Sequence, residues 1–403
     1  MDAEADQVAG ARGPAGRAGT AVPTSPPRDG ASGVLTAVSL AVLSYGLMQV
    51  MLVPAAGAIQ HDLRASPSAA SWAVLSAPLL AGALLTPTAG RLADRLGRRR
   101  VLVWALALHL VGTLAAIAVP DVGTLIACRA VQGVSLAFLP LALAVAREAL
   151  PPARVPAGLA LATGLVTGSA GAALLLGGVL VDHASWRWLF VVGAAVTLAA
   201  LVTTAALVPV LPPPDRAAPT GPRANRPLLL AHAGAFLLGV NQFMLYALLP
   251  RLAGSADGFG TSVTGAALML LPGTLVTIPA SWAVGRFRSA ARVPFAVGAA
   301  LAALGSALLA LTHDGPVAVA AVYAVGGVGY GLAMSALPRM VAEASPPARA
   351  GAANSVNAVA RTIGGAVGGQ AAALAAGTSY STAFLVAAVV VVPGVLLARR
   401  VHA

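Results

Sequence analysis

The chain has 403 residues, is 58% hydrophobic and 9% charged, and has a mean hydropathy of +0.85. A soluble protein of this size carries about a quarter charged residues, so the composition excludes that class and leaves room for twelve membrane spans of about 20 residues each. The net charge of +12 does not describe a nucleic-acid binder, because all 25 basic residues are arginines set between apolar runs and aromatics make up only 4%.

Residues 1–33 are rich in Gly, Ala, Pro and Arg, with Asp2, Glu4, Asp6 and Asp29. They are expected to form a disordered cytoplasmic tail, and the acidic start argues against a signal peptide. Spans are expected near 34–57, 71–89, 101–119, 123–146, 156–181 and 188–210. A stretch with six prolines, 211–227, reads as a cytoplasmic linker between a first half, 34–210, and a second half, 228–403. The second half is expected to hold spans near 228–250, 262–284, 293–312, 316–341, 350–376 and 381–398. With the N-terminus inside, Arg64, Arg187 and Arg251 fall in outer loops, Arg129 and Arg361 fall within spans, and the other 20 arginines fall on the inner side. That asymmetry predicts cytoplasmic N- and C-termini.

The densest charge run is Gly90-Arg91-Leu92-Ala93-Asp94-Arg95-Leu96-Gly97-Arg98-Arg99-Arg100. A short inner loop gathers arginines by the positive-inside rule alone. That rule does not account for an acid among the bases, or for Gly90 and Gly97, which would permit a tight turn with positive φ. The run resembles the loop between helices 2 and 3 of the major facilitator superfamily, roughly G-x-L-A-D-R-x-G-R-[RK]. The resemblance implies a gating role for Gly90, Asp94, Arg95, Gly97 and Arg98. Asp94 and its arginines would be held against the start of span eleven, where a helix N-terminus is partially positive.

The chain also matches itself at an offset of 195. Glu148-Ala-Leu-Pro-Pro-Ala-Arg154 recurs as Glu343-Ala-Ser-Pro-Pro-Ala-Arg349, and Gly90-Arg91 as Gly285-Arg286. Ala130-Val-Gln-Gly133 recurs as Ala324-Val-Gly-Gly327, one residue out of step. Parallel repeats of this kind relate the two six-helix halves of the superfamily, with a site between them near the midplane. In the second copy Asp94 maps to Ser289 and Gly97 to Arg292, so the charged loop is confined to the first half.

Cys128-Arg129-Ala-Val-Gln132-Gly133 resembles the fourth-helix R-x-x-Q-G motif of drug–proton antiporters, which implies proton coupling through Arg129, Gln132 and Gly133. An arginine at a span centre costs about 2.5 to 3.5 kcal/mol on insertion scales. The other reading is that Arg129, about six residues into its span, snorkels to the outer surface. His109, in the middle of span three, is either a helix–helix hydrogen bond or a proton carrier, because imidazole titrates near physiological pH. Asn354, Asn357 and Arg361 fall at i, i+3 and i+7, one helical face, which would point into a central cavity or onto a partner helix. Tyr45 and Gln49 in span one, and Asn241, Gln242 and Tyr246 in span seven, are further cavity candidates, though amides within spans also tie helices together.

Glycine stripes, Gly164, Gly168, Gly171 and Gly177-Gly178 in span five and Gly364, Gly365, Gly368 and Gly369 in span eleven, would let helices touch. Antiporters of the superfamily carry G-P-x-x-G-G in span five. Here the final Gly-Gly is present, Ala173 and Leu174 occupy the first two positions, and Ser185-Trp-Arg-Trp-Leu-Phe190 is similar to what often follows. None of the 13 acids falls deep in a span, and the single Cys128 excludes an intramolecular disulfide.

The expected fold is an all-α integral membrane protein of twelve transmembrane helices in two pseudo-symmetric six-helix halves. The resemblance implies a multi-pass secondary transporter of the cell (plasma) membrane, a monomer in the lipid bilayer. It would bind a small-molecule substrate between its halves and export hydrophobic compounds, drugs or secondary metabolites, in exchange for protons by alternating access. Neither enzyme activity, metal, cofactor nor nucleic acid is expected. The half-kept span-five motif leaves room for an uptake facilitator of a small metabolite, and a non-transporting membrane receptor on the same scaffold is a third reading. Two embedded arginines without a deep acid favour neutral or anionic substrates over cations. Asp94→Asn is expected to abolish transport at a normal protein level; full transport by the variant in vesicles would remove the gating role.

Overall fold

The computed structural model describes residues 28–210, 225–255, 258–287, 289–346 and 349–400, which are helical throughout, without strands. The first half comprises α1 (Arg28–Val50), short α2 (Ala56–Asp62), α3 (Pro67–Ser71) continuing through a π-helical turn at Trp72–Ser76 into α4 (Ala77–Leu96), and α5 (Arg98–Ile117). It goes on with α6 (Val122–Gln132), joined by a 3-10 turn to α7 (Phe138–Ala149), then α8 (Val155–His183) and α9 (Arg187–Leu207). The second half comprises α10 (Arg226–Gly254), α11 (Val263–Leu275) with α12 (Thr277–Ala283), α13 (Arg292–Leu311), α14 (Pro316–Glu343), α15 (Ala350–Leu374) and α16 (Tyr380–Arg400). Ten of the resulting spans are long and apolar enough to cross a membrane by length and composition. The polar start of α15 and the shorter apolar stretch Tyr380–Leu396 account for the other two.

Several boundaries differ from the sequence expectation. The first helix starts at Arg28 rather than 34, because Ala31 and Val34 are already buried in the first half's core. Residues 1–27 of the expected tail lie outside the described residues. The helix stops at Val50 rather than 57, where Pro54 disfavours helix at Val53 and supplies no N–H of its own. Of the expected linker, 211–224 lies outside the described residues, whereas Asn225 caps α10: its side chain accepts from Leu228 N at 2.8 Å and donates to Ala344 O at 2.7 Å. The charged run is not an eleven-residue loop. Helix continues through Gly90 and Asp94 to Leu96, and the turn is Gly97 alone, at φ 90°.

The packing repeats as the sequence does. In the first half α1 packs on α8 and α9, and α5 on α9; in the second α10 packs on α15 and α16, and α13 on α16. The duplicated glutamates also act alike. Glu148 pairs with Arg98 at the start of α5. Glu343 accepts from Ala291 N, at 3.3 and 3.4 Å, at the start of α13. Each anion sits where unsatisfied helix N–H groups are exposed.

Helices α10 and α15 meet backbone to backbone. A Cβ at Gly364 would strike Phe236 O, and one at Gly368 would strike Val240 O. Small residues bring helices together in this way where no hydrophobic effect separates lipid from protein. Gly368→Val is therefore expected to lower stability by about 3 kcal/mol through overpacking, read as thermal melting in detergent, while Gly351→Ala, in open space, leaves it unchanged.

Candidate functional site

A cavity of about 350 Å³ lies between the halves, lined by α1, α4, α8, α10, α11, α12, α14 and α15. It is closed at one end. Ser71 Oγ donates to Gly369 O at 2.7 Å and Ser76 Oγ to Ala366 O at 3.0 Å. Ser68 Oγ donates to Gln370 Oε1 at 2.8 Å, and Gln370 Nε2 donates to Ser76 Oγ at 3.0 Å. Asp182, at the end of α8, accepts from Val263 N at 2.9 Å and Thr264 N at 2.8 Å, capping α11 across the interface. Beside it Gly178 lies so close to Thr264 that a Cβ would sit 2.7 Å from Thr264 Cα. All these bonds lie at the end away from Gly90–Arg100. Among the described residues no hydrogen bond or ion pair joins the halves at the arginine-rich end.

Of the expected cavity residues, Tyr45, Gln49, Gln242, Tyr246 and Arg361 line it. Asn241 borders it, but its amide points away, donating to Ser306 Oγ at 2.8 Å and Ala387 O at 2.9 Å. The face shared by Asn354, Asn357 and Arg361 divides. Asn357 is buried and donates to Ala231 O at 3.1 Å, and Asn354 donates to Ala350 O of its own helix at 3.1 Å. The physical reason is that α10 packs along α15 closely enough to take up the first part of the face before the cavity widens. Sequence reasoning missed Thr274, Thr277, Ser281, Tyr323, Tyr330 and Thr362. The repeat offered a usable signal, since Val166, the counterpart of Arg361, lines the opposite wall, and Leu79 faces its counterpart Thr274.

The residues expected to couple protons form a different cluster. Arg129 is 2% exposed, so it does not snorkel. Its Nε donates to Ala73 O at 3.1 Å, Nη2 to Val74 O at 3.2 Å and Nη1 to Gln132 Oε1 at 2.5 Å. The two carbonyls belong to the π-helical turn Trp72–Ser76, where backbone bonding departs from the α-helical ladder. Gly133 sits against Pro78 O, where a Cβ would be 2.6 Å away. The motif thus binds α6 to the α3–α4 helix. His109 is fully buried, Nδ1 lies 3.1 Å from Gln132 O, and its ring meets Phe138 edge-on at 5.3 Å. A carbonyl only accepts, so Nδ1 carries the proton. His109 and Arg129 do not line the cavity.

In the charged run, Arg98 pairs with Glu148 and Arg99 donates to Ala205 O. Asp94 has no hydrogen bond or ion pair to the start of α15 among the described residues, and Arg95 is exposed. The Ser185–Phe190 segment has a clear local role. Trp186 Nε1, at 2.9 Å, and Arg187 Nη1, at 2.6 Å, both donate to Asp62. Arg187 first, then Trp186, hold that carboxyl below its ordinary pKa.

The profile of the Major Facilitator Superfamily matches residues 38–369. The chain belongs to this superfamily. It is 34% identical over 169 residues, 42% of its length, to the tetracenomycin C resistance and export protein of Streptomyces glaucescens. It is 32% identical over 212 residues, 52% of its length, to the puromycin resistance protein of Streptomyces alboniger. The matches cover 31% and 40% of those proteins, less than half the length of either relative. Among solved structures, the nucleoside transporter NupG superimposes with a TM-score of 0.76 over 92% of this chain and 100% of that one, at 15% identity, a likeness of fold alone.

Arg129→Met would leave two backbone carbonyls and the Gln132 amide oxygen buried without their donor. The expected loss is about 3 kcal/mol or more, seen as a lower melting temperature in detergent, whereas Tyr45→Phe at the cavity wall leaves melting unchanged.

Proposed function

We propose that this transporter exports hydrophobic small molecules across the cell membrane by alternating access. The observation that carries the reading is the cavity between the halves, closed at one end by hydrogen bonds and unbridged at the arginine-rich end. The positive-inside rule supports a cytoplasmic location for that unbridged end, from which the site would be loaded. Relatives named for resistance to, and export of, small compounds support the outward direction. An efflux transporter of thioclapurine in Claviceps purpurea, 31% identical over 197 residues, adds to that support.

Uptake rested on the half-kept span-five motif. The two glycines that remain both serve contacts, Gly177 against Met51 O and Gly178 against Thr264, so the missing Gly-Pro pair is weak support for inward transport. The gating role of Asp94 belongs to the other half of the cycle: its partners would form when the cytoplasmic end closes. Proton exchange is the coupling that the resemblance of Arg129–Gly133 to the R-x-x-Q-G motif implies. Arg129, Gln132 and Gly133 are taken up in helix packing, and His109 stands off the cavity.

The test uses energised inside-out vesicles from cells expressing the full chain, with puromycin and tetracenomycin C as the first compounds. Several-fold accumulation above vesicles lacking the protein is expected, collapsing when the membrane is de-energised. Accumulation only in right-side-out vesicles would reverse the direction.

A further inference from the structure

We infer that the cavity takes a planar aromatic anion, held by Arg361 and its surrounding tyrosines, and that the membrane potential drives its export without a coupled proton. The inference rests on the export reading above and adds a substrate class and an energy source.

Arg361 is the only charged side chain lining the cavity among the described residues. It differs from Arg129, whose three nitrogens all donate to carbonyl or amide oxygens within the protein. No carboxylate or carbonyl accepts from Arg361 among the described residues, and its ionisable neighbours are the phenols Tyr330, Tyr45 and Tyr246. Intramembrane cations are ordinarily paired. With the Tyr330 phenol as its hydrogen-bond partner and no anion beside it among the described residues, the guanidinium facing the cavity presents a planar fork suited to the oxygens of a carboxylate, sulfonate or phenolate.

The walls supply the rest of the ligand. Four of the chain's five tyrosines, Tyr45, Tyr246, Tyr323 and Tyr330, line this one cavity, in a protein only 4% aromatic. Phe243 joins them, its ring edge-on to Tyr246 at 5.6 Å. Such rings favour stacked or edge-on aromatic partners, and the phenol groups can donate to an anion's oxygens. Among the described residues the lining holds no acid, so a cation would find no counter-charge there and would be repelled by Arg361.

The charge balance then follows. With the phenols neutral and the guanidinium cationic, the empty site carries one positive charge and the site loaded with a monoanion carries none. In alternating access the site stays near the midplane and changes the side it faces. The loaded site turns outward without net charge. The empty, positive site returns inward, which an inside-negative potential favours. Each turnover moves one negative charge out, and no proton binds or leaves.

The test uses purified full-length protein in liposomes at equal pH on both sides, with the potential set by potassium and valinomycin. The probes are naphthalene-2-sulfonate and the trimethyl(2-naphthyl)ammonium ion, which share a ring system, bear opposite permanent charges and take up no proton. The sulfonate is expected to accumulate on the positive side, approaching roughly fortyfold at 100 mV, and to ignore a pH gradient at zero potential. Arg361→Gln should abolish this transport, while Arg361→Lys, which keeps the charge but not the fork, should keep the potential dependence with weaker binding. If Arg361→Gln does not fold, the comparison of potential with pH gradient in the native protein decides. Transport of the ammonium ion in preference, or sulfonate movement driven by the pH gradient alone, would overturn the inference. Failure of both probes, with puromycin or tetracenomycin C still exported by the vesicles, would overturn it and leave export standing. Failure in the vesicles as well would remove the export reading beneath it.

Discussion

A guanidinium enclosed among membrane helices must direct its donors to protein groups, since neither lipid nor water is there to receive them. Arg129 does so through the carbonyls of Ala73 and Val74, in a turn whose own helical bonding is π rather than α. The same segment carries Ser71 and Ser76, which reach across to Gly369 and Ala366 on α15. One buried cation is therefore bonded to the same segment that closes the end of the molecule away from Gly90–Arg100. Gln132 braces the guanidinium, and Gly133 gives the two helices room to meet. This local packing accounts for each residue of the R-x-x-Q-G motif without a proton-transfer step.

The duplication preserved the scaffold and let the lining diverge. Glu148 and Glu343 each hold the start of the third span of their half, and the helix neighbours correspond across the repeat. At the cavity the halves differ. The first contributes Leu79, Leu136, Val166 and Ala170 together with Tyr45 and Gln49; the second contributes Thr274, Thr277, Tyr323, Tyr330, Arg361 and Thr362. The cavity is thus an apolar wall facing a polar one. A ligand with a flat hydrophobic body and a charged edge matches that division.

Much of the fold was legible in the sequence because its signals are strong and redundant. Apolar runs of span length, arginine asymmetry and a repeat at a fixed offset all require the same twelve helices. The site was less legible. Helical periodicity put Asn354, Asn357 and Arg361 on one face, but it could not show that α10 would cover Asn357, that Asn354 would turn back onto its own helix, and that Arg361 would be left to the cavity. Asn241 and Gln242 are adjacent in sequence, yet one amide binds α13 and α16 while the other borders the cavity. A break such as the one at Pro54 has a local cause and could be read; at the π turn Trp72–Ser76 the local part is Pro78, which has no N–H for Val74 O, while the donor that takes up that carbonyl, Arg129, lies more than fifty residues away.

The outer seal has a further consequence for how the molecule cycles. It consists of six hydrogen bonds, four from serine hydroxyls or a glutamine amide and two from backbone N–H groups to Asp182, with no ion pair between the halves among the described residues. Each neutral bond contributes about 1 kcal/mol net and each bond to the Asp182 carboxylate about 1.5 to 3, because water replaces the partner when it opens. The seal can therefore come apart one bond at a time, with each exposed group hydrated as it parts, rather than through a single large barrier. Ionic screening, which weakens pairs of exposed charges, has little to act on, so the balance between the two orientations is insulated from the salinity of the surroundings.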